Sequence, residues 1–377
     1  MEKTKIYFDN AATTPMDTEV ISVITQVMNS TYGNPSSIHS FGREARVIIE
    51  NSRREVAKII NASPSEILFT SGGTEAINTA INHCMQNGIT SVITSRIEHH
   101  AVLHTLEKLE SESKIKIDFV KISEKGEVDT KDLELLLQQN ANSLVCLMHA
   151  NNEIGTLLPI KEVSELCVKH NALFLCDTVQ TLGKYPIDLK NIHIDFISCS
   201  AHKFHGPKGI GFLYVNGKHK LSPFIFGGGQ ERNNRSGTEN IYGIVGLAKA
   251  LLIATDNHVP NFEYITKLKN YFVSKLKSEF NSVSFNGTCE NSGLYTIVNV
   301  SFPVNEKSEM LLFNIDIEGI AISGGSACSS GVINPSHVLN NINADLSMPA
   351  IRFSFSRYNT IEEIDFCIDV LKKHCKN

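Results

Sequence analysis

Between residues 60 and 215 the chain alternates short apolar runs with longer segments whose apolar residues recur at helical spacing. The runs at 67–69, 91–94, 117–120, 144–148, 172–176 and 195–198 predict buried strands, and stretches such as 159–170 predict helices between them. Strands alternating with helices imply an α/β fold with a mostly parallel sheet covered on both faces. In such sheets ligands sit beyond the carboxyl ends of the strands, which says where chemistry is to be sought. The character changes near 257–260: a long helical segment over 264–280 is followed by alternating runs at 296–300 and 350–355 and a last helix over 360–373. This second part predicts a smaller α+β unit. No internal repeat or low-complexity tract interrupts either part.

Composition narrows the class. A length of 377 residues suggests two domains, one larger than the other. With 42% hydrophobic and 20% charged residues the chain has the make-up of a folded protein, not a disordered one. Thirty-five basic against forty acidic side chains give a net charge of −5, so no global basic field recommends nucleic acid or an anionic membrane as partner. No apolar run reaches transmembrane length, and the first nine residues lack the apolar core of a secretory signal, so a cytoplasmic location is expected. The nine cysteines (Cys84, Cys146, Cys167, Cys176, Cys199, Cys289, Cys328, Cys367 and Cys375) are odd in number and form no C-x-x-C pair. A disulfide framework or thiolate zinc site is therefore not expected, and most of them should be small core residues.

Several segments could carry chemistry. Lys203 lies just past a predicted strand, among Ser200, His202, Gly206 and Gly209. A lysine in a dry pocket can lose its proton and form a Schiff base with an aldehyde cofactor; the alternative is an ordinary surface loop. Residues 70–77 follow a strand and open a helix, and their glycines suit a phosphate cradle or a plain strand-to-helix turn. Asp177 ends a strand, where a carboxylate could hold a protonated ring nitrogen or cap the next turn. His99 and His100 follow another strand; one could stack on a cofactor ring, and no metal-ligand spacing accompanies them. Asn152, in 149–155, could donate to a ring or substrate oxygen, and the planar fork of Arg352 could clamp a carboxylate. Cys328 stands apart from the other cysteines in a loop of glycine and serine, 323–331, where a thiol is a candidate nucleophile. The polar glycine-rich stretch 227–238 is too long for a simple turn.

The order of these motifs resembles the cysteine desulfurases of the NifS/IscS type, within the class V aminotransferase group of fold-type I pyridoxal phosphate enzymes. The matching stretches are 7–15 (with Asp9, Asn10, Ala11, Ala12 and Thr13), 32–37, 70–75, 98–99, 151–155, 177–180, 200–211, 235–238, 325–331 and 351–353. The resemblance implies a large domain over 13–259 with a mostly parallel seven-stranded sheet that binds pyridoxal 5'-phosphate. It implies a small α+β domain from 1–12 and 260–377 that carries the cysteine loop. Residue by residue, Lys203 matches the Schiff-base lysine, Asp177 the partner of the pyridine nitrogen, Gln180 the donor to the ring hydroxyl and His99 the stacked histidine. Gly73, Thr74, Ser200 and His202 match phosphate ligands, and Thr238 matches one contributed by the second subunit of a homodimer. Asn152 matches a residue of the cofactor and substrate site, Arg352 the holder of the substrate carboxylate, and Cys328 the cysteine that becomes persulfidated.

The activity implied by the resemblance is conversion of L-cysteine to L-alanine, with sulfur passed from Cys328 to an acceptor protein of iron–sulfur cluster assembly or tRNA thiolation. No resident metal is implied, Cys328 being at most a transient ligand to an iron–sulfur cluster. The loop after Cys328 is the short version rather than the histidine-containing one, which favours the flexible-loop group. The chain also stops at Asn377, short of the longer tail with which housekeeping members dock a scaffold protein. A transaminase or selenocysteine lyase of the same fold, or a binding scaffold without catalysis, remain the alternatives at this point, although a transaminase has no need of Cys328.

Overall fold

A computed structural model describes residues 5–324 and 336–375. Strand β1 (Ile6–Tyr7) precedes helices α1 (Thr18–Ser30) and α2 (Ser40–Ile59). The alternating part then runs β2 (Ile67–Thr70), α3 (Gly73–Gln86), β3 (Ser91–Thr94), α4 (His100–Ser111), β4 (Lys116–Phe119), α5 (Thr130–Gln139), β5 (Ser143–Met148), α6 (Ile160–Lys169) and β6 (Leu173–Asp177). It closes with β7 (Phe196–Ser200) and β8 (Gly211–Val215).

These strands make the seven-stranded sheet that was expected, in the order β2-β8-β7-β6-β5-β3-β4. Pairing is parallel throughout except at β8, which runs antiparallel to both β2 and β7. Every residue of β2, β5, β7 and β8 is buried, so both faces of these strands are covered and none alternates between apolar and polar residues as a half-solvated strand would. One face packs on α1, α2 and α7 (Ile241–Asp256) through residues such as Val20, Val56 and Leu247. The other packs on α3 and α4 through Ile77, Ile81 and Leu106.

The second part begins with α8 (His258–Glu279), six residues before the helix expected at 264. Pro260, in the stretch where the character changes, sits in the first turn of α8, where a missing N–H leaves no bond unmade. Strands β9 (Ser284–Phe285), β10 (Ile297–Ser301) and β12 (Ala350–Ser354) form an antiparallel sheet in the order β12-β10-β9. Around it lie α9 (Leu311–Ile317), β11 (Ile320–Ala321), α10 (His337–Asn341) and α11 (Ile361–Cys375). Strand β12 is not half-solvated as its alternation suggested, because α8 and α11 close over it and bury Phe353 among Phe272 and Leu371. Strand β1 pairs in parallel with β11, so the start of the chain is stitched to this second core. No helix among the described residues is long and apolar enough to cross a membrane.

Candidate active site

The carboxyl ends of β3, β5, β6 and β7 open onto one cavity of about 330 Å³, closed on its far side by β12. The chain steps outward from β3 to β4 and then back past β3 to β5, so the cavity lies where the winding direction reverses. Lys203, His99, Asp177, Gln180, Gly73, Thr74, Asn152, Ser200, His202 and Arg352 all line it. Thr238 does not; it is exposed. Cys328 lies outside the described residues.

Local structure explains each placement. Beyond β7 the chain makes a single 3-10 turn, Ala201–Lys203, and doubles back through His205 at φ 67. The amide of His205 donates to Thr14 Oγ1 (2.7 Å), which holds this uncommon backbone, and Lys203 Nζ donates to the carbonyls of Ala11 (2.7 Å) and Ala12 (2.9 Å). The segment 9–14 thus forms the floor under the lysine.

Asp177 ends β6 with Oδ1 accepting from Val179 N (2.9 Å) and Ser198 Oγ (2.8 Å), so it caps the next turn and lines the cavity at once. Gln180 donates through Nε2 to Ala11 O (3.0 Å), while its buried Oε1 has no partner. His99 caps α4: its Nδ1 accepts from Ala101 N (3.0 Å), which places the ring proton on Nε2. Burial pushes the His99 pKa down against the opposing pull of Asp177, with Lys203 and His337 adding to the fall, so the ring is neutral. His202 is likewise lowered, to about 4, by burial and by Lys203.

Helix α3 starts at Gly73, whose amide donates to Ser200 Oγ (2.7 Å). A Cβ at Gly73 would lie 2.6 Å from Val179 Cγ2 and 3.3 Å from Ser200 Oγ, so glycine lets the helix start sit close against Val179, which follows β6, and against the end of β7. An open depression over 71–75 shares Gly73, Thr74, Ser200 and His202 with the cavity and adds Lys208. Free helical N–H groups with a cation nearby suit an anion.

Across the cavity, Arg352 is 1% exposed. Its Nη1 donates to Asn152 O (2.8 Å) and its Nη2 to Asp9 Oδ1 (2.9 Å), while Nε has no partner. Asn151 fixes the turn that presents Asn152, with Oδ1 accepting from Glu153 N (2.9 Å) and Ile154 N (3.1 Å).

Sequence reasoning missed four groups here. Asp9 orients Arg352 from 343 residues away, and no local pattern announces the pair. Glu153 is fully buried on the cavity wall, its Oε2 accepting from Ser336 Oγ (2.5 Å). Glu98 is buried behind His99, accepting from Ser95 Oγ (2.6 Å) and Met148 N (2.8 Å), and burial pushes its pKa up to about 8. His337 lines the wall and lies against His100, with ring centres 4.5 Å apart and planes tilted by 37°. A glutamate beside each named motif residue (His99, Asn152) was the available signal for two of these.

The family described as aminotransferase class-V matches residues 6–366. A cysteine desulfurase IscS of Dictyoglomus turgidum is 42% identical over 379 residues, covering 98% of this chain and 94% of that one. Among solved structures, a NifS-like protein superposes with a TM-score of 0.90 at 37% identity, over 98% of this chain and 99% of its own. A structure described as SspA in complex with cysteine superposes with a TM-score of 0.82 at 32% identity, over 95% of this chain and 100% of its own. By fold, site and full-length similarity, this chain belongs to the cysteine desulfurases of the class-V aminotransferase family.

Proposed function

We propose that this protein is a pyridoxal-phosphate-dependent cysteine desulfurase that takes sulfur from L-cysteine, releases L-alanine and carries the sulfur on Cys328 to an acceptor protein. The observation that carries this reading is the convergence of Lys203, Asp177, His99, Gly73 and Arg352 on one cavity. The residues fit the coenzyme: the Gly73 cradle suits a phosphate, the side-chain oxygen Oε1 of Gln180 is unpartnered and can accept from a ring hydroxyl, and both hydrogen bonds of Asp177 fall on Oδ1. Gly73, Thr74, Ser200 and His202 would hold its phosphate, Asp177 and Gln180 its ring, His99 a ring face, and Lys203 its aldehyde. Thr238 is exposed and away from this cavity, which supports a role at the site of a partner subunit in a homodimer. When bound, the coenzyme supplies an electron sink for bonds at the substrate α-carbon.

The chain's own residues supply the rest. Arg352, with Nε unpartnered, binds the substrate carboxylate, and Asn152 orients the substrate beside it. Neutral His99 would face the coenzyme ring without adding a second positive charge. Asp177 would keep a proton on the coenzyme's ring nitrogen, and Lys203 Nζ would move the proton at the substrate α-carbon. The thiolate of Cys328 attacks the substrate sulfur: an S–S bond forms, the substrate C–S bond breaks with its electron pair passing to carbon, and protonation there yields alanine. The two cores support a division into a large domain, 13–259, and a small one made of 1–12 and 260–377.

The test is incubation of the holoenzyme with L-cysteine and a thiol reductant. Equal amounts of sulfide and alanine are expected; an oxo-acid with conversion of the cofactor to its amine form would overturn the reading. Cys328→Ala should keep the visible cofactor band and lose sulfide release, whereas Lys203→Ala should lose the band. The location is proposed to be cytoplasmic, and the acceptor to belong to iron–sulfur cluster assembly or tRNA thiolation.

A further inference from the structure

The segment that carries the exposed Thr238 is tied back to the phosphate cradle of its own subunit. Glu75 stands in the first turn of α3, two residues after Gly73. Its carboxylate folds back over the cradle, with Oε2 accepting from Ser71 N (2.8 Å). The same carboxylate receives Arg235 as a fork, Nε on Oε1 (2.9 Å) and Nη2 on Oε2 (3.3 Å). The two side chains meet from 160 residues apart, and at 9% and 23% exposure they are too well covered to be an ordinary surface ion pair.

Thr238 follows Arg235 by three residues. Between them, Ser236 Oγ donates to Gly228 O (2.7 Å), and Gly237, at φ 106, donates its N–H to Gln230 Oε1 (3.0 Å). Those bonds are internal to the segment 228–237, whereas the pair of Arg235 with Glu75 reaches out of it to α3. Charge gives the pair a further role. A carboxylate in the first turn of a helix favours the helix but repels a phosphate placed beside it. Burial pushes the Glu75 pKa up, and the bonds from Arg235 and Ser71 outweigh it and bring it down, so the group is ionised and Arg235 answers its charge. Glu231 and Glu239 also bear on Arg235, and Lys208 shares the depression over 71–75 with Glu75.

We propose that Glu75 is a positioning residue that couples the two coenzyme sites of a homodimer. Through Ser71 it shapes the phosphate cradle of its own subunit, and through Arg235 it sets where Thr238 meets the phosphate in the partner's site. Breaking the pair in one subunit therefore loosens the coenzyme held by the other. The inference rests on the reading that Thr238 serves the partner subunit.

The test uses mixed dimers of the full-length holoenzyme. One subunit carries Lys203→Ala, so its own site gives no visible band, and the band reports the other, unsubstituted subunit. Glu75→Gln, which keeps acceptors for Ser71 and Arg235 but loses the charge, or Arg235→Gln is then added to the Lys203→Ala subunit. Release of pyridoxal 5'-phosphate from the reporting site, with an excess of another apoprotein present to capture it, should quicken about 10-fold with either variant, the weakening of one charge-assisted hydrogen bond. Both variants together should do no more than one, because they break the same tie. With pyridoxal, which lacks the phosphate, release should not change, a distinction that general loosening of the subunit contact would not produce. Unchanged release of pyridoxal 5'-phosphate, additive effects, or equal effects on pyridoxal overturn the proposal. Thr238→Ala in the Lys203→Ala subunit separates the two readings. If it quickens release and neither pair variant does, the coupling fails and the assignment of Thr238 stands. If it leaves release unchanged, or if the holoenzyme is monomeric, the assignment of Thr238 to the partner fails and takes the coupling with it.

Discussion

Among the described residues two guanidinium groups are buried, and they are finished differently. Arg53 on α2 donates from Nε to Glu50 (3.0 Å), from Nη1 to Ile67 O (2.8 Å) and Glu231 Oε2 (2.8 Å), and from Nη2 to Glu231 Oε1 (2.7 Å). Its charge is met by a bidentate carboxylate, and Glu231 Oε2 also takes Phe69 N (3.0 Å). Arg352 has one carboxylate contact, one carbonyl contact and a bare Nε beside the cavity. A donor left unmet in the interior costs about 1–3 kcal/mol, which a ligand can return when it binds. Arg53 holds a junction together; Arg352 is held incomplete. Burial alone would not have told them apart.

The junction at Arg53 has something to hold. Glu231, Arg232 and Asn233 all have left-handed backbones, with φ of 44, 59 and 67. Each such residue costs about 1 kcal/mol or more outside glycine. The pair with Arg53 offsets that cost and fixes the start of the segment leading to Thr238.

The largest effect should therefore come from Arg53→Ala. It leaves the Glu231 carboxylate buried and unpaired, and breaking such a pair costs about 3–5 kcal/mol. Urea denaturation reads this as a lower midpoint, with the cofactor band of the folded fraction retained. A loss below about 1 kcal/mol would place Arg53 with ordinary surface ion pairs and remove the contrast.

Arg352→Gln should do the opposite. Asp9 keeps Ser323 Oγ as a donor (2.8 Å) and is partly exposed, so stability should fall less than in Arg53→Ala. The rate of alanine formation, as kcat/KM for L-cysteine, should fall about 100-fold, the loss of a charge-assisted contact of about 2–3 kcal/mol. Stability lost as in Arg53→Ala, with kcat/KM unchanged, would make the two arginines one kind.

The same contrast marks how far the sequence could be read. Lys203, Asp177 and Gly73 were legible because each sits where an apolar run ends, and a strand end followed by small residues is a local pattern. Strand β8 is absent from the predicted runs. Its glycine and four apolar residues fit a helix segment as well as a strand, and only pairing with β2 and β7 makes it one. Asp9 with Arg352 and Arg53 with Glu231 are separated by 343 and 178 residues. Nothing in a window of the chain links them, since their meeting depends on the closed fold. Cys328 was legible by composition alone, and it lies outside the described residues.

Glu153 sharpens the comparison from the acidic side, with the smallest effect. Like Arg352 it is buried on the cavity wall with one polar atom bare: Oε2 accepts from Ser336, and Oε1 has no partner. Burial raises its pKa, against the opposing pull of Ser336, His337 and Arg352. An arginine cannot discharge itself, but a carboxyl can, and burial favours the protonated form of Glu153. The sign of the pH effect is then fixed. Above the unfolded glutamate value of about 4.3 the unfolded chain has lost this proton while the folded chain keeps it. This group's share of stability is therefore lost as pH rises from about 4.3 to the raised folded value. Glu153→Gln keeps the shape and an acceptor for Ser336 and removes the titration. Its unfolding free energy, measured from pH 4.5 to 7.5, should decline less steeply than that of the unsubstituted protein. Identical slopes would mean that Glu153 stays ionised in the folded chain, paired through the cavity with Arg352, and the two sides of the site would then be finished alike.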